Sequence, residues 1–408
     1  MSRLNPRTIL SVFFALAFIT FTLAGSAFGQ TESTIYNFTG GSDGGTPYGG
    51  RLIFDPSGNL YGIAIFGGIN NNGVVYELSP AAGGGWTQTV LYSFLGGSDG
   101  SNPEGALVFD SLGNLYGGTY AGGTHGLGTI FELSPVSGGG WTEKVLYNFA
   151  GGADGANSNG SLIFDATGSL YGTTVLGGIN GIGTVFQLSP ATGGAWTEAV
   201  LFTCSQAVGG EPHGNVVFDS RGNFYTALVN DGPFNAGAIL RLKFVDGTWR
   251  MGLIYSFKDD VNGGFPLGDL AITPQGRLYG ATETGGSHDL GAIFALERPA
   301  GSSVWKETIV HSFGGKGDGR FGGASLSVVL DAAGNLYGVT DAGGTTRYGV
   351  AYKLTAGDAG VMKETILCTF NKTIGQPTAD PVLDSFGNLY GPASLGTDSA
   401  GDVYEIIQ

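Results

Sequence analysis

Cysteine, histidine and charge are scarce in this chain of 408 residues, with two Cys, four His and 12% charged side chains. Two cysteines cannot build the disulfide framework that staples small exported domains. Cys204 and Cys368 replace aromatic residues of one repeated segment at adjacent offsets, which on a strand face opposite ways. Burial as small hydrophobes is therefore expected, without a disulfide between them. The sequence has no zinc-ligand spacing and no phosphate-binding Gly-x-x-x-x-Gly-Lys. Its glycine clusters do not stand between a strand and a helix, as a Gly-x-Ser-x-Gly nucleophile turn requires. Lys and Arg number 18 against 33 acids, a net charge of −15, which argues against nucleic acid or an anionic membrane surface as a partner.

The N-terminus reads as a targeting segment. Arg3 and Arg7 precede an apolar run from Ile9 to Leu23, and Ala27-Phe28-Gly29 places small residues at the −3 and −1 positions. This is the pattern of a secretory signal peptide over residues 1–29, cleaved after Gly29. The run falls short of the roughly 20 residues a bilayer span needs. Losing Arg3 and Arg7 leaves 16 bases against 33 acids, a balance of −17. No hydrophobic sorting tail follows Gln408, so a secreted or periplasmic monomer without a membrane span is expected.

Glycine is abundant, at 77 residues, and sits at fixed places between apolar runs. The string Asp55-Pro56-Ser57-Gly58-Asn59-Leu60-Tyr61-Gly62 returns at Asp110–Gly117, Asp165–Gly172, Asp219–Thr226, Thr273–Gly280, Asp331–Gly338 and Asp384–Gly391. Recurrence at a step of about 54 residues marks a repeat architecture over residues 30–408. Within a repeat, Leu52–Asp55 reads as a short strand A, and Asp-Pro-Ser-Gly as a turn whose Asp accepts amides and whose Gly takes a left-handed conformation. Strand B is 59–64, strand C starts at Gly73, and strand D runs from Thr87 to Phe94 behind Trp86. Trp141, Trp196, Trp249 and Trp305 share the offset of Trp86, which points to packing under the outer strand. After the signal, Thr34–Phe38 matches strand D, while the chain finishes on a strand C, Gly401 to Ile406. The N-terminal strand 34–38 then completes the last blade of a ring. The expectation is an all-β, seven-bladed β-propeller with four-stranded blades.

Strings such as Tyr171-Gly172-Thr173-Thr174, Gly183-Thr184-Val185-Phe186-Gln187-Leu188-Ser189-Pro190 and Val90-Leu91-Tyr92-Ser93-Phe94 resemble the Gloeobacter/Verrucomicrobia tandem repeat, the GloVer repeat, over about residues 33–408. The resemblance implies an exported bacterial protein and brings no catalytic residues with it. The Asp-x-x-Gly-Asn-Leu-Tyr turn is also similar to a turn of NHL and gluconolactonase-type propellers, a likeness too local to carry their chemistry.

In a propeller, the D–A connections and B–C loops share one face. There the residue between Pro (Ser158 in one repeat) and Gly before strand A varies while its other neighbours hold, as Tyr48, Glu104, Asn159, His213 and Leu267. Constant neighbours around a changing residue are the layout of a ligand site on a rigid frame, placed at the mouth of the central channel. His213 beside Glu211 is the one histidine positioned for acid–base work, whereas His311, in place of a strand D tyrosine, reads as structural. Asp43, Asp99, Asp154 and Asp318 share an offset in the D–A connection. Oxygen-rich loops can attract Ca²⁺, but Asp-Gly is first a turn pair, and no spaced calcium loop is present. No catalytic cluster emerges. The function expected is non-enzymatic binding of an extracellular protein or glycan. The alternative is a hydrolase or lyase acting on a carbohydrate or lactone through Glu104 and His213.

Overall fold

A computed structural model of the chain describes residues 31–314, 317–320, 328–357, 361–394, 396 and 398–408. The signal segment 1–29 lies outside the described residues. The chain forms seven four-stranded antiparallel sheets in the order A–B–C–D. Blade 1 comprises Ile53–Phe54, Leu60–Ala64, Val74–Pro80 and Trp86–Ser93. Strand A begins at Ser101, Ile163, Val217, Ala271 and Val328 in blades 2 to 6. Blade 7 takes Val382–Leu383, Leu389–Ala393 and Asp402–Ile407 from the C-terminal end and Thr31–Asn37 from the N-terminal end. The closing strand pairs antiparallel from Thr31↔Ile407 to Asn37↔Asp402 and starts three residues before the expected Thr34.

The repeated Asp string is the A–B turn, as its chemistry requires. Asp55 Oδ1 accepts the amides of Ser57 and Asn59 at 2.8 and 2.9 Å, and Oδ2 accepts the Asn59 amide group and the Tyr61 hydroxyl at 2.9 and 3.3 Å. Asp110, Asp219, Asp331 and Asp384 repeat this set. The turn thereby aims a tyrosine ring at the next blade. Tyr61 meets Phe109 edge-on at 5.0 Å, and Tyr116 meets Phe164 at 5.0 Å and Trp196 at 6.2 Å. Tyr171 meets Phe218 and Trp249, and Tyr390 meets Phe54 and Trp86. The tryptophans pack as expected, but between blades. Each such ring pair adds about 0.5–1.5 kcal/mol beyond its burial.

A second aromatic layer lies deeper. The Phe ending strand D meets the strand C aromatic of the next blade, as in Phe38–Tyr76, Phe94–Phe131 and Phe149–Phe186 at 5.0 to 5.3 Å. That strand C ring lies over the glycine of Leu-Tyr-Gly: a Cβ on Gly117 or Gly172 would stand 2.6 Å from the Phe131 or Phe186 ring. Cys204 is fully buried in this layer as a small hydrophobe, and both cysteines are free. Cys368 departs from the expectation. It is only partly buried and directs its thiol at Glu32 Oε2, 2.9 Å away, because its offset is that of the strand D tyrosine.

Candidate functional site at the channel mouth

Backbone bridges join each D–A connection to the B–C loop of the blade it enters, at Gly45↔Phe66, Gly155↔Gly177, Gly210↔Asn230 and Gly264↔Thr284. These two loop sets form one face, and the rim of the channel is built there. Thr46, Asn102, Asn157, Glu211 and Phe265 all adopt positive φ, between 52° and 59°. Each amide is held by a B–C loop carbonyl of the preceding blade, for example Asn102 N–H to Asn72 O at 2.9 Å and Glu211 N–H to Ile182 O at 2.9 Å. Left-handed backbone at a non-glycine residue costs of order 1–3 kcal/mol and persists only where its surroundings fix it. Two residues on stand Tyr48, Glu104, Asn159, His213 and Leu267.

Behind them is a ring of close-packed glycines. A Cβ on Gly50 would lie 2.6 Å from Gly105 O, one on Gly105 2.6 Å from Gly160 O, and one on Gly214 2.5 Å from Gly268 O. The glycines are required because neighbouring blades touch backbone to backbone. The variable residue is therefore fixed by the strained turn on one side and the glycine contact on the other. Blade 1 carries one extra residue, Gly49, and its Tyr48 stands out of the rim, 40% exposed.

The structure brings some of these side chains together. Asn159 Nδ2 lies 3.0 Å from His213 Nδ1, and Asn159 Oδ1 is buried without a hydrogen-bond partner. Burial pulls His213 below its ordinary value, with the Glu211 charge opposing. Glu211 itself turns away to accept a hydrogen bond from Asn230 at 2.6 Å. Burial pushes the Glu104 carboxyl up to about 7. Burial, then the charges of Glu104 and Asp341, raise the Tyr48 phenol. Among the described residues, no hydrogen bond or ion pair joins Glu104 to His213. The mouth thus presents an exposed aromatic ring, a carboxyl half-protonated near neutrality, an amide and an imidazole.

One step deeper is a second variable ring that sequence reasoning missed, formed by Arg51, Ser161, Asn215, Asp269 and Asp380 with Ala106. Its signal was present as the residue just before each apolar A strand. Asp269 Oδ1 accepts the Asn215 amide at 2.7 Å, and burial raises this carboxyl while the Arg51 charge opposes. Arg51 belongs to blade 1 and Asp269 to blade 5, so their charges interact across the channel. Arg51 lines channel cavities of about 260 and 350 Å³.

The four loop aspartates sit at four different blade interfaces and do not converge. Asp43 accepts from Tyr36, at 2.9 Å, and from Thr39, while Asp99 accepts from Tyr92 and Leu95 N–H, both at 2.6 Å. Asp154 caps Ala150 N–H at 2.7 Å, and Asp318 caps Gly314 N–H at 2.5 Å. On the opposite face, the turns of blades 4 and 5 enclose a cleft of about 840 Å³ that gathers Arg221, Arg241, Lys243 and Arg298 beside Trp305. This is a cationic patch on an acidic molecule, and its chemistry suits an anionic group.

The Gloeobacter/Verrucomicrobia repeat matches residues 18–197, 90–272 and 243–408. No curated protein matches the chain. Among solved structures, a protein of unknown function from Dyadobacter fermentans is similar at 14% identity and a TM-score of 0.47, over 93% of this chain and 98% of its own. A Thermus thermophilus protein named as an oxidoreductase (glucose dehydrogenase) is similar at 14% identity and a TM-score of 0.42, over 93% of this chain and all of its own.

Proposed function

The chain belongs to the Gloeobacter/Verrucomicrobia repeat family, and from that premise we propose that it is an exported, non-enzymatic propeller that binds an extracellular glycan or protein at its channel mouth. One observation carries the reading. A rim held rigid by strained turns and glycine contacts presents a different side chain from each of blades 1 to 5, with Tyr48 exposed beside hydrogen-bonding groups. An aromatic face with adjacent amide, carboxyl and imidazole groups is the combination that takes a sugar ring, so a glycan is the favoured partner over a protein. The deeper Arg51–Asp269 ring supplies charge below that platform.

A second reading, a hydrolase or lyase acting on a carbohydrate or lactone, is favoured by Glu104, whose value near 7 suits a general acid at neutral pH. Its weakness is geometric, since among the described residues Glu104 has no hydrogen-bonded base partner at the mouth.

One experiment separates the two. The purified protein is screened against a glycan array and culture-derived proteins, with and without Ca²⁺, followed by titration of Tyr48→Ala and Glu104→Gln. Binding weakened about tenfold or more by Tyr48→Ala, roughly 1.4 kcal/mol, and retained in Glu104→Gln supports the binding reading. Product formation that vanishes in Glu104→Gln overturns it in favour of the enzyme. Binding that ignores Tyr48→Ala removes the channel mouth as the site.

A further inference from the structure

The outer rim of five of the seven blade interfaces carries a three-residue arrangement: a residue of strand D, an aspartate of the following connection, and a residue of strand D in the next blade. It is Tyr36–Asp43–Gln88, Tyr92–Asp99–Glu143, Tyr147–Asp154–Glu198 and Tyr255–Asp260–Glu307 around the ring. In these sets the tyrosine hydroxyl donates to a carboxylate, as Tyr36 and Tyr92 do to Asp43 and Asp99. Between blades 5 and 6 the tyrosine is replaced by His311, facing Asp318 and Glu364. His311 Nε2 lies 3.4 Å from Asp318 Oδ1 and 3.6 Å from Glu364 Oε1, and the three donor atoms all fall within 4.8 Å of one another. The imidazole is held in place by an edge-on contact with Phe313 at 4.7 Å.

We propose that His311, Asp318 and Glu364 form a binding site for a divalent transition-metal ion, with Zn²⁺ as its representative. Two observations point there. The first is geometry. Ligand atoms roughly 2.0–2.1 Å from a tetrahedral ion stand roughly 3.3–3.5 Å apart, and the two separations from Nε2 lie at or just beyond that edge length. The second is an unmet polar atom. Glu364 Oε1 is buried without a hydrogen-bond partner, and it faces Nε2 at a distance too long for a hydrogen bond. Glu143, Glu198 and Glu307 carry the same unmet oxygen, but a phenol stands beside each of them. Among the described residues, only this interface adds a nitrogen ligand. One imidazole with two carboxylates selects a borderline ion over Ca²⁺ or Mg²⁺, which take oxygen ligands. Three protein ligands leave a fourth position for water, as in open zinc sites. Because the ligands come from two blades, the ion would cross-link the ring where strand D of blade 5 hands over to blade 6.

The test uses the full chain, stripped with a chelator and titrated with Zn²⁺ alone at neutral pH. Calorimetry is expected to show one site per chain whose heat disappears in His311→Tyr. That substitution rebuilds the arrangement of the sibling interfaces, so it should fold with its melting temperature nearly unchanged in the absence of metal. A ligand present at about 100 times its dissociation constant stabilises the native state measurably, so the melting midpoint of the parent chain should rise by about 2 °C or more. His311→Tyr should show no rise and Glu364→Gln a smaller one. An unchanged parent midpoint, a Zn²⁺ response that survives in His311→Tyr, or an equal response to Ca²⁺ each overturns the proposal. In those cases the cluster is an ion-paired histidine only.

Discussion

At blade 4 the repeat departs from its own pattern at several positions that touch. Phe224 stands where the other blades have Leu, and Thr226 where they have Gly. Across the strand pair, Leu240 replaces the aromatic that covers that glycine elsewhere, and Cys204 replaces the Phe that meets this aromatic. All four are buried in one core region. Two residues grew and two shrank, so the volume of the layer is kept, which is what a close-packed interior demands. The substitutions were visible in the sequence, but their compensation was not, because it depends on which rings overlie which glycines. Leu240→Phe alone is expected to cost about 1–3 kcal/mol by overpacking against Thr226. The double variant Thr226→Gly, Leu240→Phe restores the pattern of the other blades and should recover part of that loss, with a coupling energy above about 0.5 kcal/mol. Urea denaturation of the two singles and the double checks this. Strict additivity would show that the two positions are independent.

The elements themselves were almost fully legible, since turn chemistry and alternation recur often enough to number the blades. What was legible of the site was its face and its variable position. Tyr48, Glu104, Asn159 and His213 were singled out as candidates because they change ahead of a constant glycine. The deeper Arg51–Asp269 ring escaped because the charge interaction that defines it crosses the channel between blades far apart in the chain. Ring closure is the element-level feature that most affects stability. Phe38 is fully buried against Tyr76, and Thr34 donates to Asp402 at 3.1 Å, so the first strand is tied to both the last blade and the first. If closure is complete, Phe38→Ala should cost as much as the mid-chain equivalent Phe149→Ala, about 3–5 kcal/mol each. A terminal strand that frays would instead make Phe38→Ala much the cheaper of the two. Comparing the two variants by denaturant midpoint decides the matter. Deleting residues 31–38 should also lower the melting temperature of the whole ring in a single transition.

For the molecule as a whole, the interfaces fix how stability follows pH. Burial and the neighbouring Asp99, Asp154 and Asp260 push Glu143, Glu198 and Glu307 up to about 7. Burial alone raises Glu104 to about 7, and burial together with the Glu32 charge raises Asp402 to about 8 against the pull of Thr34. A carboxyl raised in the fold favours its protonated form there. Its contribution is whole below the unfolded value, 4.5 for Glu and 3.8 for Asp, and is lost as pH climbs through 7 to 8. At Asp110, Asp165, Asp219 and Asp331, burial acts upward but the hydrogen bonds of the A–B turns outweigh it and hold these carboxyls below 3.8. Those contributions are present above 3.8 and are lost as pH falls below it. The net charge of −15 at pH 7 adds self-repulsion on the alkaline side. The urea midpoint should therefore peak at about pH 4–5 and decline toward about pH 8. Glu143→Gln with Glu198→Gln replaces two reluctant carboxylates by uncharged amides and should flatten the decline while leaving the acid side in place. A midpoint that rises from about pH 5 to 8, or a decline untouched by the double substitution, would mean that the paired carboxyls at the blade interfaces do not govern it.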